Sequence, residues 1–386
     1  MNTSDRRSTA VRAACRLATS GLVAGTLAAG CGGDGSAPTG PATGAAAARA
    51  YLDSAITIMQ NVAFYRARVD WPALRAQAHV ATASATTPAE TYPVIRSALF
   101  ALGDHHSFLQ PPSASSALRG TDDPIGAIGA IGAIGAASIA HPADSLDGEL
   151  LDGRYGYLRV PTFSLPLGTA NADARITAMA DTLQALVRAV DAQHPCGWVV
   201  DLRHNLGGNM WPMLVGVAPI LGDGPYGAFV DTNGERVRWA YAGGAAGTTD
   251  ASGALSVGAR TSRAPVVLTR PNPAVAVLTD SLTASSGEAV AVAFRGRPAT
   301  RSFGAPTLGV PTANAGYRLS DGAYLLIMVA LDADRTGQQY DARIAPDVLV
   351  PSRAAPATDD ATVAAATAWL ATQLDCAATL PRVRAP

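Results

Sequence analysis

The chain has 386 residues, 48% of them apolar and 15% charged, and a formal net charge of −1. That length and apolar content support a large buried α/β core and exclude global disorder. All 29 basic residues are arginine. Lysine bases, Schiff-base lysines and phosphate-loop lysines are therefore excluded, and no arginine stripe beyond the leader points to nucleic acid.

Residues 1–30 form a leader. Arg6, Arg7, Arg12 and Arg16 supply positive charge, and 17–29 is an uncharged run of apolar and small residues. It is too short and too rich in glycine and alanine to span a membrane. Leu27-Ala28-Ala29-Gly30-Cys31 closes it in the manner of a bacterial lipoprotein signal, which makes Cys31 the lipid-bearing first residue after cleavage. The alternative is an ordinary secretion signal with a chance cysteine. A tether over 31–46 follows, so the expectation is a protein of the bacterial cell envelope held to a membrane by lipid. Cys196 and Cys376 remain downstream. They either pair in an oxidising envelope or stay two separate buried thiols, since sequence does not fix connectivity.

Residues 47–112 read as an N-terminal helical subdomain. Tyr51, Ala55, Ile58 and Met59 recur at helical spacing, a second helix covers 71–80, and a third covers 87–102. Asp104-His105-His106-Ser107 ends this unit. Residues 113–146 form a low-complexity connector that repeats Gly-Ala-Ile. From 147 to 386 strands alternate with helices. Strands are predicted at 156–160, 197–202, 266–269, 274–278 and 324–330, helices at 171–192, 210–221 and 289–294, and a closing helix at 360–374 capped by Asp360. That alternation implies a layered, largely parallel sheet.

Two turns in this core carry chemistry. Thr283-Ala284-Ser285-Ser286-Gly287-Glu288 puts Ser285 between a strand and a helix, where a hydroxyl stands at the sheet edge beside open helix N–H groups. The same residues spell an S-x-x-E capping box, which in most proteins only starts a helix. Upstream, Asp201-Leu202-Arg203-His204-Asn205-Leu206-Gly207-Gly208 supplies a glycine pair whose backbone can approach a ligand closely.

These motifs are followed by Gly304-Ala305-Pro306-Thr307-Leu308-Gly309, Leu319-Ser320-Asp321-Gly322-Ala323 and Ile344-Ala345-Pro346-Asp347. In that order they resemble the C-terminal processing (tail-specific) peptidase family, which includes tricorn-type proteases and retinoid-binding repeats. The resemblance implies a layered α/β/α core of the Clp protease/crotonase type. It also implies a serine peptidase that cuts peptide or protein substrates with no metal or organic cofactor. In the Ser-Lys branch a lysine follows the Gly-x-Pro-Thr-x-Gly turn. Val310 stands there, so the chain resembles the Ser-His branch, without a PDZ domain, since 113–146 is too short to hold one.

The resemblance assigns Ser285 as nucleophile and His106, directly before Ser107, as base, with His105 as its neighbour. Asp341 is the best positional match for the acid, with Asp334 and Asp332 as rivals. The backbone N–H groups of Ser286 and of the Gly207-Gly208 turn form the oxyanion hole. Asp201 and Arg203 buttress that turn. A histidine base gives an activity transition near its reference pKa of about 6.5. Two other readings stay open: a non-catalytic envelope protein that binds peptide or an apolar ligand on the same fold, and an acyl esterase.

Overall fold

A computed structural model describes residues 44–112, 146–165, 169–351 and 360–377. The leader, Cys31, and all but a few residues of the tether and the connector lie outside the described residues. The chain divides into two units, and residues 314–329 belong with the N-terminal helices in the first of them.

In the first unit the apolar spacing becomes three helices, Ala45–Val62, Trp71–Ala81 and Tyr92–Phe100. Tyr51, Leu52, Ala55, Ile56 and Met59 form the buried stripe of the first helix. They join Ile95 and Leu99 of the third, and Leu325 and Ile327 from the returning segment, in one core. The third helix begins later than its pattern suggests. A 3₁₀ turn, Pro88–Thr91, precedes it, because Pro93 in the first turn has no N–H to continue an α-helical ladder. Strand Phe108–Gln110 pairs antiparallel with residues 324–326. The hydroxyls of Tyr51 and Tyr92 both donate to the Asp321 carboxylate, at 2.9 and 2.5 Å.

The second unit is built on a six-stranded sheet. From one edge its order is Val348–Leu349, Thr300–Gly304, Ala274–Thr279, Gly197–Asp201, Tyr155–Arg159 and Asp147–Leu151. All neighbours are parallel except the last pair. Strands 197–201 and 274–279 are buried at every position, as expected of parallel strands covered on both faces. The closing helix Ala361–Leu370 packs Ala366 and Leu370 against Tyr155, Tyr157, Val199, Ala276, Leu278 and Phe303. Asp360 caps it by accepting the Thr362 and Val363 N–H groups. Helix Ala172–Asp191 covers strands 147–151 and 155–159 and packs on helix Met210–Leu221. Gly216 makes that approach possible, since a Cβ there would sit 2.3 Å from Leu183. Four antiparallel strands between 224 and 260 form a second sheet, which pairs with residues 330–334.

The fold is therefore the expected mixed α/β core with an N-terminal helical region. The strand predicted at 266–269 is a correction, because that segment is irregular. Side chains of the neighbouring helix hold it in place of a ladder. Gln184 accepts the Val266 N–H, and Asp191 accepts the Thr269 N–H and hydroxyl.

Cys196, just before the central strand 197–201, is joined to Cys376 after the closing helix, across 180 residues. Such a long loop removes much unfolded-state entropy. Replacing both cysteines with serine should lower stability by about 2–5 kcal/mol. Chemical denaturation of the oxidised protein and the double variant checks this, and equal midpoints would contradict it.

Candidate active site

Strands Tyr155–Arg159, Gly197–Asp201 and Ala274–Thr279 run parallel, so their carboxyl ends share one edge of the sheet. The loops that leave them carry Phe163, Gly207-Gly208 and Ser285. Ligands bind at this edge of open α/β sheets.

Ser285 precedes helix Ser286–Phe294 and has φ 51° and ψ −117°. A non-glycine residue pays a steric penalty in that region, so its surroundings must fix it. They do so through three anchors. Asp280 accepts the Leu282 and Thr283 N–H groups from its own turn and the His204 N–H from the glycine loop. The Thr283 hydroxyl donates to the Leu202 carbonyl, and Ala284 N–H donates to the Asn205 carbonyl. Glu288 accepts the Ser285 N–H at 2.8 Å.

Glu288 is fully buried. Besides Ser285 it accepts the Thr307 hydroxyl at 2.5 Å and the Gly309 and Val310 N–H groups at 2.9 Å each. Burial pushes its carboxyl up to about 6, and these donors pull the other way. One carboxylate thus binds the nucleophile turn to the Gly-x-Pro-Thr-x-Gly turn. The capping-box half that the sequence offers is present, but Glu288 does more than cap.

The glycine loop lies against Ser285. A Cβ on Gly207 would stand 2.8 Å from that of Ser285, and one on Gly208 would stand 2.1 Å from the Phe163 carbonyl. Both glycines have positive φ, 97° and 109°. Their N–H groups differ. Gly207 N–H donates to the Asn205 side chain at 2.9 Å. Gly208 N–H and the first N–H of the helix, that of Ser286, have no acceptor among the described residues. Of the two glycines, the open donor is Gly208. Asn205 is buried and its amide also donates to the Val160 carbonyl, which sets the height of the loop. Asp201 holds Arg203 through two oxygens and accepts the Tyr157 hydroxyl, so this pair buttresses the strand end.

The three aspartates fare differently. Asp341 is exposed and has no hydrogen bond among the described residues. Asp334 accepts from Thr336, Gln338 and the Tyr340 hydroxyl and closes the turn after its strand. Asp332 is 1% exposed, and its Oδ1 has no partner among the described residues. Burial raises its carboxyl well above the usual range, and the Glu288 charge adds to that.

His106 belongs to the first unit. Asp104 accepts the backbone N–H groups of His106 and Ser107 and the Ser107 hydroxyl, and the Asn314 side chain donates to the His106 carbonyl. His105 takes a left-handed φ of 55°. His106 is buried, which lowers its imidazole to about 4 against the opposing charge of Asp104.

The family model of peptidase family S41 matches residues 154–350, which include both turns. The chain belongs to peptidase family S41. Membership makes it a hydrolase of the serine peptidase type. Over 299 residues it is 27% identical to the nisin-resistance protein of Lactococcus lactis subsp. lactis, covering 77% of this chain and 82% of that one. Its fold is similar to that of a lipoprotein from Streptococcus agalactiae, with a TM-score of 0.64 and 20% identity over 87% of this chain and 98% of that one. It is also similar to the photosystem II D1 C-terminal processing protease, with a TM-score of 0.52 and 17% identity over 82% and 96% of the two chains.

Within this S41 core, the sequence pattern alone does not reveal the wider role of Glu288 or the clasp between Asn205 and Gly207. Both are read from three-dimensional neighbours, although the capping-box spacing already pointed at Glu288. Glu288→Ala would leave four donors without their acceptor. The variant should lose about 3 kcal/mol or more of stability and nearly all hydrolysis. Thermal unfolding and peptide turnover measured together check this, and wild-type turnover would contradict it.

Proposed function

We propose that this S41 peptidase works through an acyl-enzyme formed on Ser285. The observation that carries the reading is the strained Ser285 turn, set beside two open backbone donors, Gly208 and Ser286 N–H. Ser285 Oγ gives its proton to the base and attacks the peptide carbonyl, the two N–H groups receive the oxyanion, the C–N bond breaks as that proton passes to the departing amine, and water releases the acyl group as a carboxylic acid. His106 is the base on the strength of its place before Ser107 in the Ser-His branch. The acid role passes from Asp341 to Asp332. A buried carboxyl with an open oxygen can accept an imidazole N–H and hold the ring's tautomer, whereas an exposed one is engaged by water.

Fluorophosphonate labelling and hydrolysis of a peptide library test this, and nisin is a sensible first peptide, given the name of the Lactococcus relative. Ser285→Ala should abolish both signals with the fold retained. His106→Ala should cost far more activity than His105→Ala, and Asp332→Asn more than Asp341→Asn. Because the neutral imidazole is the base, a lowered pKa keeps it competent as pH falls. The acid limb of kcat/KM should therefore lie near pH 4 instead of near 6.5. Labelling without peptide turnover but with ester turnover would favour an esterase, and no labelling at all a binding protein.

We further propose an envelope location with Cys31 as the lipid anchor. The leader supports it, as do the Cys196–Cys376 disulfide, which suits an oxidising compartment, and the likeness to a streptococcal lipoprotein. Among the described residues no helix is long and apolar enough to cross a membrane. Cys31→Ser should move the protein from the membrane fraction to the soluble fraction with its peptidase activity unchanged. Retention on membranes would point to another anchor.

A further inference from the structure

Beside the glycine loop the second unit carries a cleft of about 380 Å³. Its walls come from Pro161, Thr162 and Phe163 and from the start of helix Ala172–Asp191, through Arg175, Ala178 and Met179. The cleft touches the oxyanion loop directly. Phe163 N–H donates to the Gly207 carbonyl at 3.1 Å, and the Phe163 carbonyl accepts from Asn209 N–H at 2.7 Å. Topology places both walls at the edge that holds Ser285. Strand Tyr155–Arg159 ends there, and the helix that follows it must begin there to cross back to the parallel strand 197–201.

The chemistry of the cleft is asymmetric. Pro161, Phe163, Ala178 and Met179 give it an apolar body. Its hydroxyls are engaged: Thr162 Oγ1 accepts the Leu206 N–H at 2.8 Å, and the Thr182 hydroxyl donates to the Ala178 carbonyl at 2.8 Å. Arg175 is exposed, and no carboxylate or carbonyl among the described residues meets its guanidinium. Among the described residues no acidic side chain lines the cleft. The positive end of the helix dipole adds to the same field. An open apolar trough flanked by a guanidinium suits a side chain of methylenes that ends in a carboxylate.

We propose that this cleft is a side-chain subsite that takes a glutamate of the peptide substrate, with its methylenes against Phe163 and Met179 and its carboxylate on Arg175. The inference rests on the peptidase reading of Ser285. It makes Arg175 a specificity-determining residue outside the reacting groups.

Quenched fluorescent peptides that scan Glu, Gln and Lys through each position near the scissile bond test it, with Ser285 labelling by fluorophosphonate as a separate readout. At one position Glu should exceed Gln in kcat/KM by about fivefold, the scale of an exposed ion pair. Arg175→Ala should erase that ratio, and Arg175→Glu should turn it toward Lys, both with labelling at the wild-type rate. Ala178→Phe, which fills the cleft from its exposed side, should lower turnover of the Glu peptide while Ser285 still labels. No position that prefers Glu, or a preference that survives Arg175→Glu, overturns the subsite while labelling persists. Loss of labelling in the wild-type protein would instead overturn the peptidase reading beneath it.

Discussion

The second unit turns on one buried carboxylate. Glu288 sits where water cannot reach and is surrounded by four donors from two separate segments. An ionised carboxyl is tolerated in such a place only when donors replace its hydration. Here the compensation fixes geometry. The N–H of the nucleophile and those of residues 309 and 310 all converge on one group a few ångströms wide. The turn holding Ser285 therefore moves only with the turn at 307–310. In the Ser-Lys branch a lysine would stand at position 310. In this chain that position is a buried valine, and its backbone alone takes part.

The same arrangement explains the division of labour between the two glycines. Asn205 presents one face of its amide to Gly207 and the other to Val160. The loop is thereby fixed to the end of the neighbouring strand, and only the second glycine keeps an open N–H. A left-handed backbone at both positions lets the loop approach Ser285 and Phe163 without a Cβ clash. Strain at Ser285 is thus sustained by hydrogen bonds on both sides of it.

Much of this was legible in the chain. The largely apolar runs within 197–202 and 274–278 read as buried strands, and the Ser285-x-x-Glu288 spacing announced a helix start. The motifs in series were specific enough to give the family. The one misread strand has a clear cause. Residues 266–269 have the composition of a strand, but Gln184 and Asp191 capture their N–H groups, and no local pattern reveals a partner about eighty residues away. Asp341 matches by position in the chain, and what distinguishes its rival Asp332 is burial, a property of the packed core. Likewise, the choice between Gly207 and Gly208 depends on a side chain that hydrogen-bonds only once the loop is closed.

The cross-link at the far end of the core bears on the order of folding. Cys196 introduces a central strand, yet its partner is among the last described residues to be synthesised. During synthesis the sheet centre is therefore available well before its thiol can be oxidised correctly. An intact bond certifies that the closing helix has docked, so a chain cut short before Cys376 would carry an unpaired thiol on an otherwise assembled sheet.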